Sequence, residues 1–249
     1  MSQNSEQADN HKDAADLIPS SLWGEDVSID AKLVRSNLLE IENKIAPCKP
    51  RIMGVTKYYG LSSIIKGYEA GLRDFGESRA LDAIEKLKLL PPEIKQNSKF
   101  HFIGHLQTNK AERVVEYFDY IHSVDSLKLA RVISDSACRL NKREKILLQV
   151  NNAEEEQKFG YSVEQLKADL PELIKLEGIE ILGLMNMASL GASTETLHKV
   201  FRELRELRDE IQDNFKIELP ELSMGMSDDY EIAVKEGATI IRIGRKLFT

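Results

Sequence analysis

Short apolar runs, rich in β-branched and aromatic residues, recur along the chain and alternate with amphipathic segments. Runs of this kind, bounded by turn residues, are typical of strands that are buried on both faces of a parallel sheet. The pattern predicts eight strands, at residues 52–56, 72–75, 100–104, 120–124, 145–150, 179–185, 222–226 and 239–243.

The segments between these strands have helical periodicity. One of them carries Leu61, Ile64, Ile65 and Tyr68 at the i, i+3, i+4, i+7 spacing of a helix with one buried face. A further amphipathic helix is predicted over 28–46, ahead of the first strand. It is ended by two nearby prolines, which cannot continue a helix.

Several local signals predict where the later helices begin and end. Asp125 and Ser227 stand where N-caps are expected, and Ser162 opens a capping-box pattern. Gly237 is placed to end the helix before the last strand. Pro171 is expected to kink or divide the helix that contains it.

Eight strands alternating with helices favour a closed (β/α)8 TIM barrel, whose usual size of about 250 residues matches this chain. The alternative is an open, doubly wound sheet, which would carry a glycine-rich fingerprint after its first strand. Residues 56–60 have no such fingerprint. Only six residues follow the last predicted strand, so no eighth helix is expected there, and the helix at 28–46 could complete the outer ring.

Composition narrows the class of protein. The chain has 249 residues, is 42% hydrophobic, and carries 34 basic against 41 acidic residues, a net charge of −7. Net acidity argues against sequence-independent nucleic-acid binding.

Residues 1–27 are interpreted as a flexible acidic tail, so one barrel domain is predicted over 28–249. No signal peptide and no apolar run of about 18 residues is present, which predicts a cytoplasmic protein off the membrane.

The carboxyl ends of barrel strands form the active face of such folds, and phosphate often binds at the loops after strands seven and eight. Here those loops contain Gly225, Ser227, Gly244 and Arg245. Glycines allow close backbone approach to an anion, and a helix N-terminus favours negative charge. The alternative is that the glycines serve only tight turns.

Lys57 directly follows the first predicted strand. A lysine at a barrel mouth is partly removed from water, which makes its amine a usable nucleophile toward an aldehyde. An amine across the mouth from a phosphate site is the arrangement that pyridoxal phosphate requires. From position alone, a lysine that extends along the surface into solvent is the alternative.

Four segments carry a resemblance to a known family: residues 55–57 (VTK), 101–110 (HFIGHLQTNK), 222–227 (LSMGMS) and 242–244 (RIG). With these motifs, the chain from about 52 to 248 resembles the pyridoxal phosphate homeostasis proteins. The resemblance implies a barrel like the N-terminal domain of alanine racemase. It further implies pyridoxal phosphate as cofactor, held by Lys57, Asn151, Met224, Gly225, Met226, Ser227, Arg242, Gly244 and Arg245.

Within that set, Lys57 would carry the cofactor as a Schiff base, Ser227 and the backbone around Gly244 would bind its phosphate, and Arg242 would face the pyridine nitrogen. The chain departs from the family pattern twice. Ser78 replaces an asparagine, and Arg245 replaces a serine or threonine that would donate to phosphate.

Three functions are consistent with these residues. The first is a monomeric protein of intracellular cofactor homeostasis, without robust turnover, whose partners are pyridoxal phosphate and enzymes that depend on it. The second is a small amino-acid racemase or lyase that uses Tyr58 or Tyr59 as acid or base, against the alternative that both tyrosines only pack at the rim. The third is a cofactor-independent enzyme that uses Lys57 on a phosphosugar.

Overall fold

A computed structural model describes residues 29–152 and 159–249. Eight parallel strands close into a barrel in sequence order, with the first strand paired to the last. The strands are β1 (Arg51–Val55), β2 (Asp74–Glu77), β3 (Lys99–Phe102), β4 (Tyr120–Val124), β5 (Glu144–Gln149), β6 (Ile179–Met185), β7 (Glu221–Ser223) and β8 (Ile240–Ile243). The predicted TIM barrel is confirmed. The predicted tail at 1–27 lies outside the described residues.

Helices cover the outside of the barrel. They are α1 (Ala31–Ile45), α2 (Leu61–Glu69), α3 (Ala80–Leu89), α4 (Pro92–Asn97), α5 (Ala111–Tyr117), α6 (Leu127–Arg139), α7 (Val163–Leu173), α8 (Thr194–Phe215), α9 (Tyr230–Lys235) and α10 (Arg245–Phe248).

Helix α1 occupies the place predicted for it in the outer ring. The side chain of Asp30 caps its start by accepting a hydrogen bond from the backbone of Lys32 at 3.0 Å. Its buried stripe includes Val34, Leu38 and Ile41, and the helix packs against α2, α9 and α10. Helix α10, a single turn made by residues after β8, was not expected. Six residues are too few for a full outer helix but enough for one turn.

Two local predictions in the first half of the fold need correction. Strand β2 begins at Asp74, because Leu72 is still part of the turn that ends α2, where its N–H donates to the carbonyl of Gly67. Ser126, and not Asp125, caps α6, since the Ser126 hydroxyl accepts from the backbone of Leu129.

Helix α7 is not divided at Pro171. It continues to Leu173, two residues beyond the proline, so the missing N–H of Pro171 removes one hydrogen bond in the last turn without ending the helix there. The N-cap at Ser162 is confirmed, but Gln165 donates its side-chain hydrogen bond to Asp169 and does not complete a capping box.

The strands place alternate residues inside and outside the barrel. On β4, His122 faces the interior, because its ring meets the Ser223 hydroxyl of β7 at 3.0 Å and these two strands are not neighbours. A small apolar cluster of Tyr120, Leu147 and Met185 packs separately from the main core between barrel and helices. The interior therefore combines a polar part with an apolar part.

Candidate functional site

A cavity of about 240 Å³ opens at the carboxyl ends of the strands. Lys57 stands on its wall, two residues after β1, with its side chain partly exposed. Its Nζ lies 5.0 Å from the centre of the Tyr58 ring and donates no hydrogen bond to any residue of the described ranges. Six of the nine predicted site residues line this cavity: Lys57, Met226, Ser227, Arg242, Gly244 and Arg245.

Backbone donors without partners collect on one side of the cavity. The N–H groups of Ser227, Gly244 and Arg245 donate to no atom of the chain within the described ranges. Backbone N–H groups in this state are suitable donors to the oxygens of an anion. An anionic group of a ligand therefore fits this side of the cavity.

Arg242 forms part of another wall and is buried, with 4% of its surface exposed. Its Nη1 donates to the carbonyl and the hydroxyl of Ser223 at 2.7 and 2.9 Å, and its Nη2 donates to the carbonyl of Asn186 at 2.8 Å. Burial lowers the pKa of Arg242 to about 10, an effect opposed by the nearby carboxylate of Asp229. The guanidinium is therefore a cation at neutral pH and is held rigidly.

Three predicted site residues lie outside this cavity. Met224 is fully buried. Gly225 has φ +88°, and a Cβ there would come within 2.5 Å of the Cβ of Ala233. This glycine is required by the turn and by its packing on α9. Asn151 lines a separate groove beside α7 and α8, and its N–H donates to the carbonyl of Tyr161.

Ser227 does not have its predicted role as the N-cap of a helix. Helix α9 begins at Tyr230, and Ser227 lies three residues earlier with its side chain capping nothing. Asp229 organises this turn, because its carboxylate accepts from the N–H of Met226. Ser227 is buried on the cavity wall, so its N–H and hydroxyl are not needed by the helix.

Arg245 lines the cavity, and its side chain is held in an ion pair with another lining residue. The side chain is 73% exposed and pairs with the exposed carboxylate of Asp228 at 2.8 Å. The guanidinium is therefore already paired with a carboxylate. The backbone N–H of Arg245 is unaffected by the substitution.

A buried lysine that the sequence analysis did not single out lies behind the Lys57 turn. The Nζ of Lys86, on α3, donates to the carbonyls of Thr56 and Tyr59 and to the carboxylate of Glu77 at 2.9 Å. Glu77 is 1% exposed and also accepts a hydrogen bond from the Thr56 hydroxyl. Burial raises the pKa of the Glu77 carboxyl, and the nearby cation of Lys86 opposes this shift. The sequence offered one signal for this role, which is that Lys86 stands at a position of the amphipathic helix α3 where buried residues are expected.

The remaining walls are apolar and were also missed. Ile103, Met185 and Met187 line the cavity, and Leu190 stands at its rim with 92% of its surface exposed. Apolar walls with a few convergent polar groups are typical of small-molecule sites.

The two tyrosines after Lys57 differ in their surroundings. The ring of Tyr59 packs on Phe248, with ring centroids 5.2 Å apart, which agrees with the interpretation that this tyrosine packs at the rim. Tyr58 is 74% exposed. His101 and His122 are fully buried, and their rings are hydrogen-bonded to each other.

Within residues 29–152 and 159–249, no group of three or more potential metal-ligating side chains is present. The same ranges contain no helix with the length and apolarity needed to cross a bilayer.

Comparison with known proteins gives the class of this fold. Residues 29–249 match the family model of the alanine racemase N-terminal domain. An alanine racemase structure from Clostridium difficile superposes with a TM-score of 0.72 over 88% of this chain and 57% of its own, at 17% identity. That similarity concerns the fold. The chain is therefore a barrel of the alanine racemase N-terminal-domain class.

More similar relatives define the family within this class. The pyridoxal phosphate homeostasis protein of a Synechocystis species is 44% identical over 81% of this chain and 92% of its own length. The protein of that name from Aquifex aeolicus is 38% identical over 80% and 86%. PipY of Synechococcus elongatus, solved with pyridoxal phosphate bound, is 37% identical, with a TM-score of 0.79 over 87% of this chain and all of its own. This chain belongs to the pyridoxal phosphate homeostasis protein family.

Proposed function

We propose that this protein binds pyridoxal phosphate as a Schiff base on Lys57 and takes part in intracellular homeostasis of this cofactor, without robust catalytic turnover. The observation that carries the proposal is the meeting, in one cavity, of the Lys57 amine with the unused N–H groups of Ser227, Gly244 and Arg245. Condensation of the amine with the cofactor aldehyde forms a C=N bond and releases water.

The residues present fit the chemistry of the cofactor. The free backbone donors suit the phosphate, the apolar residues Ile103 and Met185 suit the faces of the ring, and the buried cation Arg242 suits a ring nitrogen without a proton. A permanent positive charge beside that nitrogen disfavours its protonation, which weakens the ring as an electron sink. This feature favours storage and transfer of the cofactor over chemistry on amino acids.

Access to solvent also favours a protein without robust turnover. Tyr58 and Leu190 stand at the cavity rim with 74% and 92% of their surfaces exposed. Catalysis on a bound amino acid benefits from exclusion of water and from firm positioning. The racemase alternative depends on Tyr58, because the ring of Tyr59 packs against Phe248.

The test is an absorption spectrum after incubation with pyridoxal phosphate, followed by borohydride reduction and peptide mapping. We expect a visible imine band and a pyridoxyl label on Lys57. The Lys57→Ala variant should lose both, while Lys49→Ala, which removes an exposed lysine at the opposite end of the barrel, should keep both. A label on another lysine, or no label, would contradict the proposal.

Turnover is tested separately, on protein that forms the pyridoxyl label at Lys57. Racemisation of L-alanine and decarboxylation of amino acids should remain near the rate of free pyridoxal phosphate. Enzyme-like rates that fall on Tyr58→Phe would establish the alternative.

A further inference from the structure

A continuous line of buried polar side chains crosses the barrel from its N-terminal end to the cavity. The carboxylate of Asp74 lies 2.9 Å from Nε2 of His101, and Nδ1 of His101 lies 2.9 Å from Nε2 of His122. Nδ1 of His122 lies 3.0 Å from the hydroxyl of Ser223, which accepts from Nη1 of Arg242 at 2.9 Å. Both imidazoles and Ser223 are fully buried.

The acceptor at one end of this line and two neutral rings together determine the direction of every hydrogen bond in it. Arg242 has only donors, and an ionised Asp74 has only acceptors. The Asp74 carboxylate forms an ion pair with Arg51, whose Nη1 lies 3.7 Å away. When both rings are neutral, His101 donates from Nε2 to Asp74 and accepts at Nδ1, and His122 likewise donates from Nε2 and accepts at Nδ1.

Ser223 is the point where this direction affects the cavity. A neutral His122 with its proton on Nε2 has a lone pair on Nδ1, so the Ser223 hydroxyl must donate to it. Its oxygen lone pairs then remain for Arg242. Without His122 the hydroxyl hydrogen would lose the acceptor that fixes its rotation, and the direction of the oxygen lone pairs toward Arg242 would no longer be set.

A proton added to either imidazole would reverse part of the line. A second proton on His101 would lie on Nδ1, so His122 would have to accept at Nε2 and donate from Nδ1 to Ser223. Burial lowers the pKa of His101, and burial together with the charges of Arg242 and Arg51 lowers that of His122 well below its ordinary value. Both directions agree with two neutral rings.

We propose that His101, His122 and Ser223 are positioning residues, which hold Arg242 in the orientation that faces the cofactor ring. The Ser223 hydroxyl directs its hydrogen to His122, so that its oxygen accepts from Arg242. This inference rests on the proposed function for its consequence at the cofactor, but the hydrogen-bond direction itself does not depend on a ligand. The position of Arg242 would therefore be determined partly by Asp74, a residue at the opposite end of the barrel.

The first test is nitrogen NMR of the protein labelled with 15N-histidine, without added ligand. We expect His101 and His122 to be neutral, with the proton on Nε2 in both rings, and single replacement of each by glutamine assigns the signals. A proton on Nδ1 of either ring, or a doubly protonated ring at neutral pH, would overturn the inference.

The second test uses Ser223→Ala, with Ser136→Ala as control. Ser136 is likewise fully buried but donates to the carbonyl of Val132 within α6, far from this line. Loss of an acceptor from a charged donor should weaken pyridoxal phosphate affinity about tenfold or more and shift the visible band. The control should change neither.

The outcomes separate this inference from the proposed function. If Lys57 of the unaltered protein is not labelled, the proposed function fails while the NMR result still decides the direction of the line. If Lys57 is labelled, but Ser223→Ala binds the cofactor with unchanged affinity and an unchanged band, the positioning role is wrong.

Discussion

The two ends of the barrel differ in how they satisfy their polar groups. At the N-terminal end, Arg51 pairs with both Asp74 and Glu221, and the Lys142 ammonium lies 2.7 Å from the buried Glu144 carboxylate, an ion pair without hydrogen-bond geometry. At the mouth, the Lys57 amine and the three backbone N–H groups around the cavity have no hydrogen-bond partner in the described part of the chain. Paired groups stabilise the fold, and unpaired ones remain available to a ligand.

This difference corresponds to the usual division of labour in such barrels, where the N-terminal face supports stability and the C-terminal face carries the site. One buried contact does not follow this division, because it lies at the C-terminal end. The Lys86–Glu77 ion pair is buried as deeply as the groups of the N-terminal end, yet it holds the carbonyls of the turn that carries Lys57. Three substitutions test whether stability and binding can be separated as this comparison implies.

The largest effect is expected at Lys86. Lys86→Met leaves Glu77 buried without its cation, which should lower the free energy of unfolding by about 3 to 5 kcal/mol. It should also reduce labelling of Lys57, because the turn loses its anchor. Urea denaturation and borohydride labelling measure the two effects. The double variant Lys86→Met with Glu77→Gln should recover much of the stability but not the labelling; full recovery of both would refute the anchoring role.

A smaller effect, confined to stability, is expected at Glu144. Burial raises the pKa of this carboxyl to about 7 from 4.5. Between these values the folded state binds the proton and the unfolded state does not, so stability falls as pH rises. At about 1.4 kcal/mol per pKa unit, about 3 kcal/mol is lost between pH 4.5 and 7.

Glu144→Gln cannot ionise, so its unfolding free energy should lack this part of the pH dependence. Chemical denaturation of parent and variant across that range gives the difference directly, and cofactor affinity should be unchanged. Parallel pH profiles for the two proteins would show that Glu144 is already ionised in the folded state at low pH.

The smallest effect is expected at Arg245, on the mouth side. Arg245→Ala removes an exposed ion pair with Asp228, which should change stability by less than about 1 kcal/mol. Pyridoxal phosphate affinity should stay within about threefold, because the backbone N–H at this position remains. A titration that finds a large loss would place the guanidinium, and not the backbone, on the cofactor.

How far the sequence could predict this protein depends on the distance over which each feature is encoded. Strand and helix periodicity is local, so the barrel and the place of α1 in its outer ring were predictable. Errors occurred where neighbouring residues compete for one role, as with Ser126 and Asp125 at the start of α6. Both residue types cap helices well, and only the backbone geometry selects between them.

The candidate site likewise contains residues that local sequence could predict and contacts that it could not. Lys57, Ser227, Arg242 and Gly244 could be found because strand ends converge at one face of a barrel. The ion pair of Arg245 with Asp228 could not be found, since this partner is 17 positions away and is selected by the tertiary structure.

The sequence by itself determined the fold class, the face that carries the site, and the amine and cation at its mouth. Tertiary structure alone decided which interior groups meet. His122 and Ser223 are 101 positions apart, and Lys86 reaches the carbonyl of Thr56 from 30 positions away. No local pattern encodes such pairs, because they arise only when barrel closure brings non-neighbouring strands and helices within hydrogen-bond distance.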